Sequence, residues 1–209
     1  MKIIKPPFSI SFIYWSTQVI FFLLLCVALG ALLFNILLYS DFFGDDLQLH
    51  TYLPAKVDFL EKGDLFLNGQ HVSVELVEAS TRIHFFNTPD FISKKIGVVL
   101  LVVVSMIIYL VFEFRNFISR VKKGIIFTQN NIFSLKKIAY GLVALWIFTN
   151  VYFRIANYYI AANLSFEQVR ITNEIPYYSG ILFLALFIWV IAHIFITGLK
   201  IQEEQDLTV

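Results

Sequence analysis

Four histidines and one cysteine are the side chains with the widest chemical reach in this 209-residue sequence, and their spacing limits what they can do. His50, His71 and His84 share one segment and are donors that suit zinc, yet no two stand at the four-residue spacing that presents a ligand pair on one helix face. Strand pairing in that segment could bring His71 and His84 together, but isolated surface histidines are the favoured reading, and no metal centre is expected. Cys26 stands alone inside an apolar run, so neither an internal disulfide nor a cysteine-rich metal site can form. A glycine-rich phosphate loop, a nucleophile elbow and paired carboxylates within an apolar run are all missing from the sequence. We therefore expect no catalytic residues, no cofactor and no enzyme activity.

Polar groups embedded in apolar runs form a second set: Asn35, Asn150, Arg154, Asn157 and His193. An ionisable group inside a membrane span is a functional candidate by default, as a proton relay or ligand contact. The ordinary reading of His193 is a neutral ring bonded to Asn35 or to a backbone carbonyl. Asn35 and Asn150 read as hydrogen-bonding contacts between helices. Arg154 and Asn157 are expected on one helical face near the outer boundary, where the arginine reaches the headgroups or pairs with Asp41 or Glu174. Glu113 and Arg115 are expected only to solvate a helix end.

A third set lies where charge gathers. Lys122, Lys123, Gly124, Phe127, Thr128 and Asn131 form a basic turn, Gln205, Asp206, Leu207 and Thr208 belong to an acidic tail that ends on an apolar residue, and together they are expected to form a surface for a cytoplasmic partner. For the lysines the ordinary reading is membrane anchoring by positive charge. The tail is expected to dock on the turn or on another protein.

The elements that must position these groups follow from composition. Hydrophobic residues make up 58% of the chain and charged residues 15%, with 23 phenylalanines and a net charge of +1. Soluble domains carry about 25% charged residues, and a charge this small offers no field to attract nucleic acid. Four apolar runs are long enough to cross a hydrocarbon core about 30 Å thick as helices. With their continuations they place transmembrane helices at about 19–39, 96–118, 132–160 and 177–199. The first run is longer than a signal-peptide core and no small-x-small site follows it, so it reads as a retained helix.

Lysine and arginine counts orient these helices. The 119–131 turn and its flanks hold six basic residues against Glu113, whereas the 41–95 loop holds five basic and nine acidic residues. Both termini, the turn and the 200–209 tail are thus expected in the cytoplasm, and the 41–95 loop outside. That loop is too long to be a bare connection. Val72, Val74 and Leu76 alternate with polar positions, Arg82 to Phe85 resume the pattern, and Asn68-Gly69 is a hairpin signal. Lys56 to Leu60 and Asp64 to Leu67 are candidate neighbouring strands, and Phe166 to Ile171 a further pairing segment. In the turn, Gly124 permits the corner, and Thr128 or Asn130 is expected to cap a helix whose Ile132, Leu135, Ile138 and Leu142 recur at helical spacing. The expected fold is an all-α four-helix transmembrane bundle with a small extracytoplasmic antiparallel β element between helices one and two.

Two segments together resemble a bacterial membrane-protein family, domain of unknown function 2975. They are the turn, Lys123-Gly124-Ile125-Ile126-Phe127-Thr128-Gln129-Asn130-Asn131 with Leu135-Lys136-Lys137-Ile138, and the tail, Gln202-Glu203-Glu204-Gln205-Asp206-Leu207-Thr208-Val209. The resemblance implies four membrane helices and an acidic stretch before a Leu-Thr-Ile/Val terminus. It also implies a small helix-turn-helix regulator as a natural cytoplasmic partner, and it brings no catalytic residues. Such proteins often have proline where this chain has Ile126, a departure that implies a less rigid turn.

The function expected from these readings is a bacterial inner-membrane sensor or regulatory protein that relays an outside signal to a cytoplasmic regulator. One rival is an immunity or envelope-protection protein against an antimicrobial peptide or a lipid-targeting agent. A transporter subunit is the other. Expected partners are membrane lipids, a cytoplasmic regulatory protein and further copies of the chain, with no direct nucleic-acid contact.

Overall fold

The computed structural model describes residues 7–40, 42, 51–67, 70–85, 88, 90–164, 170–172 and 179–207. Four long helices run through them: α1 (Phe8–Tyr39), α2 (Asp90–Lys122), α3 (Gln129–Asn163) and α4 (Ser179–Leu207). Three strands accompany these helices: β1 (Thr51–Leu67), β2 (Gln70–Phe85) and β3 (Arg170–Thr172). The helices hold 32, 33, 35 and 29 residues. At about 1.5 Å per residue each outruns a hydrocarbon core of about 30 Å by two turns or more. All four are long and apolar enough to cross a membrane.

The chain divides into two compact units: residues 1–44, 91–146 and 178–209 in one, and 45–90 and 147–177 in the other. In the first unit Leu110 of α2, Ile138, Leu142 and Leu145 of α3 and Ala185 of α4 form a shared apolar core. Gly141 lets α2 and α3 close, because a Cβ there would meet the Leu110 side chain at 2.6 Å. Most large apolar side chains of α1 and α4 point outward, among them Leu23, Leu29, Leu33, Phe183, Leu186 and Val190. In water such a surface would drive aggregation, whereas in a bilayer it meets its own solvent.

In the second unit the strands form one sheet in the order β2-β1-β3, with antiparallel neighbours. β1 and β2 pair from Thr51 with Phe85 to Leu67 with Gln70, and the register shifts between Asp58 and Glu61. One extra β1 residue there bends and twists the ribbon. β3 pairs with Lys56–Asp58 just before that bulge, and Val57 is buried at this point. Asn68 and Gly69, the expected hairpin corner, lie outside the described residues, as do residues 165–169.

This register keeps apart the two histidines that strand pairing could have brought together. His71 lies opposite Phe66, and His84 lies opposite Tyr52 near the other end of the hairpin. They share one strand, thirteen residues apart, which at about 3.3 Å per residue separates them by roughly 40 Å. His71 instead meets Asp64 at 2.9 Å, with both side chains half exposed. Among the described residues no group of three or more histidines, cysteines and carboxylates is placed to hold a metal ion.

Candidate functional site

The densest polar structure lies where α2 turns into α3. Gly124 stops α2 by adopting φ 78°, a left-handed conformation that costs a glycine little. The amide of Gly124 donates to the Val121 carbonyl at 2.9 Å, and that of Ile125 to the Arg120 carbonyl at 3.1 Å. This is the Schellman pattern, which satisfies carbonyls that the last helical turn leaves open. Four residues later α3 begins, with the amides of Asn131 and Ile132 both donating to the Thr128 carbonyl. The Thr128 hydroxyl, expected as a cap, is buried and has no hydrogen-bond partner.

Asn131 performs the fastening from the other side. Its side chain is fully buried, and its amide nitrogen donates to the carbonyls of Ile125 and Ile126 at 2.8 and 2.7 Å. Its oxygen accepts from Arg120 Nε at 2.6 Å. Arg120 also donates through Nη2 to the Asn130 carbonyl at 3.2 Å and to Ser134 Oγ at 2.6 Å. The Ser134 hydroxyl in turn donates to Glu113 Oε2 at 2.9 Å, and Lys137 Nζ donates to Glu113 Oε1 at 2.9 Å. A charge-bearing chain thus runs from Lys137 through Glu113, Ser134, Arg120 and Asn131 to the turn carbonyls. Each internal group is satisfied by the next, which is what a buried polar network needs to be rigid rather than costly. With isoleucine rather than proline at 126, the corner carries two hydrogen bonds from Asn131, to the carbonyls of Ile125 and Ile126.

Glu113 corrects an expectation from the sequence. It is not a solvated helix end but a buried carboxylate with two donors, only 5% exposed. Arg115 does not simply reach solvent either, since its guanidinium lies 4.9 Å from the Phe21 ring centre of α1. Lys122 sits 4.0 Å over Tyr14 and 5.5 Å from Trp15, so the first turns of α1 are held by cation–π contacts to the last turns of α2.

Phe127 carries the turn across to α4. A Cβ on Gly198 would collide with its ring, and the ring centres of Phe127 and Phe195 are 5.4 Å apart. Phe117 of α2 joins the same stack at 5.6 Å from Phe195. Beyond Leu199 the described part of the tail continues α4 as an exposed helix to Leu207, with Gln205, Asp206 and Leu207 among its exposed residues. Thr208 lies outside the described residues. Lys123, Ile125 and Ile126 are exposed on the turn, whereas Asn131, taken from the sequence as a surface contact, is a buried fastener.

The embedded polar residues are spread along the helices. Asn35 is buried, donates to the Ala31 carbonyl at 2.8 Å, and places its amide oxygen where a Gly97 side chain would begin. His193 is exposed, with Nδ1 3.1 Å from the Trp189 carbonyl of its own helix. Asn157 is buried with its amide nitrogen unpartnered, while Arg154 three residues earlier is exposed, so the two do not share one environment. Asn150 is half-buried. Asp41 and Glu174, the suggested partners of Arg154, lie outside the described residues.

Sequence reasoning found the turn but missed Glu113, Arg120, Ser134 and Lys137 as one assembly. A signal was present: Glu113 and Arg120 are seven residues apart on α2, and Asn131, Ser134 and Lys137 recur every three on α3. Both spacings put polar groups on one helix face.

The family described as protein of unknown function, DUF2975, matches residues 74–209, and the chain belongs to it. No curated protein matches the chain. Nor does any solved structure match it.

Proposed function

We propose that this chain is a small bacterial inner-membrane sensor or regulatory protein that relays an outside signal to a cytoplasmic regulator. In this reading the sheet unit and the adjoining helix ends meet the signal outside, and the turn and the α4 extension meet the regulator inside. The supporting observation is the mechanical continuity of turn and tail. Asn131, Arg120, Ser134 and Glu113 fasten the turn to both helices that it joins. Phe127 seats that same turn against Gly198, four residues before the exposed acidic extension begins at Gln202. A shift of α2 against α3 would therefore be felt by α4, because packed interfaces shift between discrete arrangements rather than deform smoothly.

The six basic residues of the turn and its flanks, set against a 41–95 loop in which nine acids outnumber five basic residues, support a cytoplasmic placement of the turn and of both termini. The reading is tested with photo-crosslinking probes at Gln129 and Gln205 in cells, together with a chain lacking residues 202–209. One soluble protein captured at both positions, with its output changed by the truncation, is the expected result. Unaltered output after truncation would remove the tail from the mechanism. Capture of nothing but lipid and further copies would favour the protection reading.

A further inference from the structure

A lateral groove of about 530 Å³ runs between α2 and α3, lined by Val98, Val102, Ser105 and Tyr109 of α2 and by Gly141 and Ala144 of α3, among others. The α2 positions recur at helical spacing and so lie along one face. From Val98 to Tyr109 the groove is about 16 Å long. Its depth comes from the small side chain of Ala144, whereas the space over Gly141 is closed by the Leu110 side chain.

One turn beyond its end the chemistry changes. Glu113 lies four residues past Tyr109 on α2, and Lys137 four residues before Gly141 on α3. These two meet at 2.9 Å, with Glu113 buried but the Lys137 side chain 53% exposed. An ammonium has three protons, and the bond to Glu113 engages one of them. An apolar channel thus points toward a half-exposed cation held at a fixed point one helical turn beyond its end.

The geometry points to a site for an anionic phospholipid of the leaflet on the turn side, with one acyl chain in the groove and the phosphate at Lys137. Charge selects this occupant over a neutral apolar helix, because only a ligand with an anionic head uses both parts of the site. The inference rests on the reading of these helices as membrane-spanning, not on the relay to a regulator. It deepens that relay by naming a ligand beside the Glu113–Ser134–Arg120–Asn131 chain. A phosphate drawing on Lys137 would alter the pairing of Glu113 and so reach the turn.

The test uses the full chain, purified in neutral detergent, delipidated and titrated with phosphatidylglycerol or phosphatidylcholine, with bound lipid counted by native mass spectrometry. One phosphatidylglycerol should be retained in preference to phosphatidylcholine. Lys137→Gln should reduce that preference about fivefold, and Lys137→Arg should keep it. Ala144→Phe, which fills the groove from a position outside the polar network, should lower retention of both lipids about tenfold. Melting curves identify any variant that has lost its fold, and Lys137→Arg with Ala144→Phe then still decides the question. Equal retention of both lipids by the parent chain, or no effect of Ala144→Phe, overturns the site. So does efficient disulfide cross-linking between copies bearing Val102→Cys, which would make the occupant another helix. Loss of the lipid site would leave crosslinking to a regulator untouched, and loss of the regulator would leave lipid retention untouched.

Discussion

Asn131 shows what a single side chain contributes here. It makes three hydrogen bonds, two of them to carbonyls of the turn, in a fully buried position. Asn131→Ala strands the Arg120 Nε donor while water can reach the exposed Ile125 and Ile126, so the cost should be about 2 kcal/mol. For a chain of this size that lowers the melting temperature by roughly 4–8 °C. Asn131→Asp should be no better, because a carboxylate cannot donate to the two carbonyls although it can still accept from Arg120. Amide exchange at residues 125–128 should accelerate in both variants; exchange and melting that match the parent would show that the turn holds without Asn131. The sequence marked Asn131 as notable but assigned it to a surface. It assigned Glu113 to solvent because an acid amid lysines and arginines near an apolar boundary ordinarily belongs there. Only the register of α2 against α3 reveals the pairing, and register is a tertiary property.

At the scale of elements, hydropathy located the four helices but not their lengths. α1 begins at Phe8 rather than near Val19, because Ser9, Ser11, Ser16 and Thr17 lower the apolar average without breaking a helix. Apolar runs mark the lipid slab, whereas hydrogen bonding marks the helix. Close approach between elements was equally hidden. The Asn35 amide oxygen occupies the place of a Gly97 side chain, so α1 and α2 touch through a polar group and a missing methyl. Gly97→Ala should cost about 1–3 kcal/mol by forcing that amide aside. Asn35→Ala removes the obstacle, and the double variant should recover at least about 1 kcal/mol relative to the sum of the singles. A thermal double-mutant cycle in detergent measures this coupling. Additivity within about 0.5 kcal/mol would mean that the two residues do not press on each other.

At the scale of the whole molecule, helix count and charge make separable statements. Three helices, α2, α3 and α4, lie in the chain between Ser73 on β2 and Gln205 on the α4 extension. If each crosses the bilayer, parity alone puts these two residues on opposite sides, whatever the orientation. The Lys/Arg asymmetry then says which side is which, with Gln205 inside. Both statements can be read in one labelling experiment. Cys26 points outward midway along α1 and should resist a membrane-impermeant maleimide until detergent is added, so it serves as an internal control before replacement by serine. In the Cys26→Ser background, Ser73→Cys should react in intact cells and Gln205→Cys only after the inner leaflet is opened. The reverse pattern would keep three crossings and invert the molecule, moving the basic turn outside and ending the case for a cytoplasmic regulator. Reaction of both from one side would break the parity, so that one of α2, α3 and α4 could not span, most plainly α3. It is the most enclosed of the four helices and carries Lys136, Lys137 and Arg154 within its length. The polar network then becomes the deciding structure, because it needs α3 to enter the membrane alongside α2 with Glu113 and Ser134 at one level.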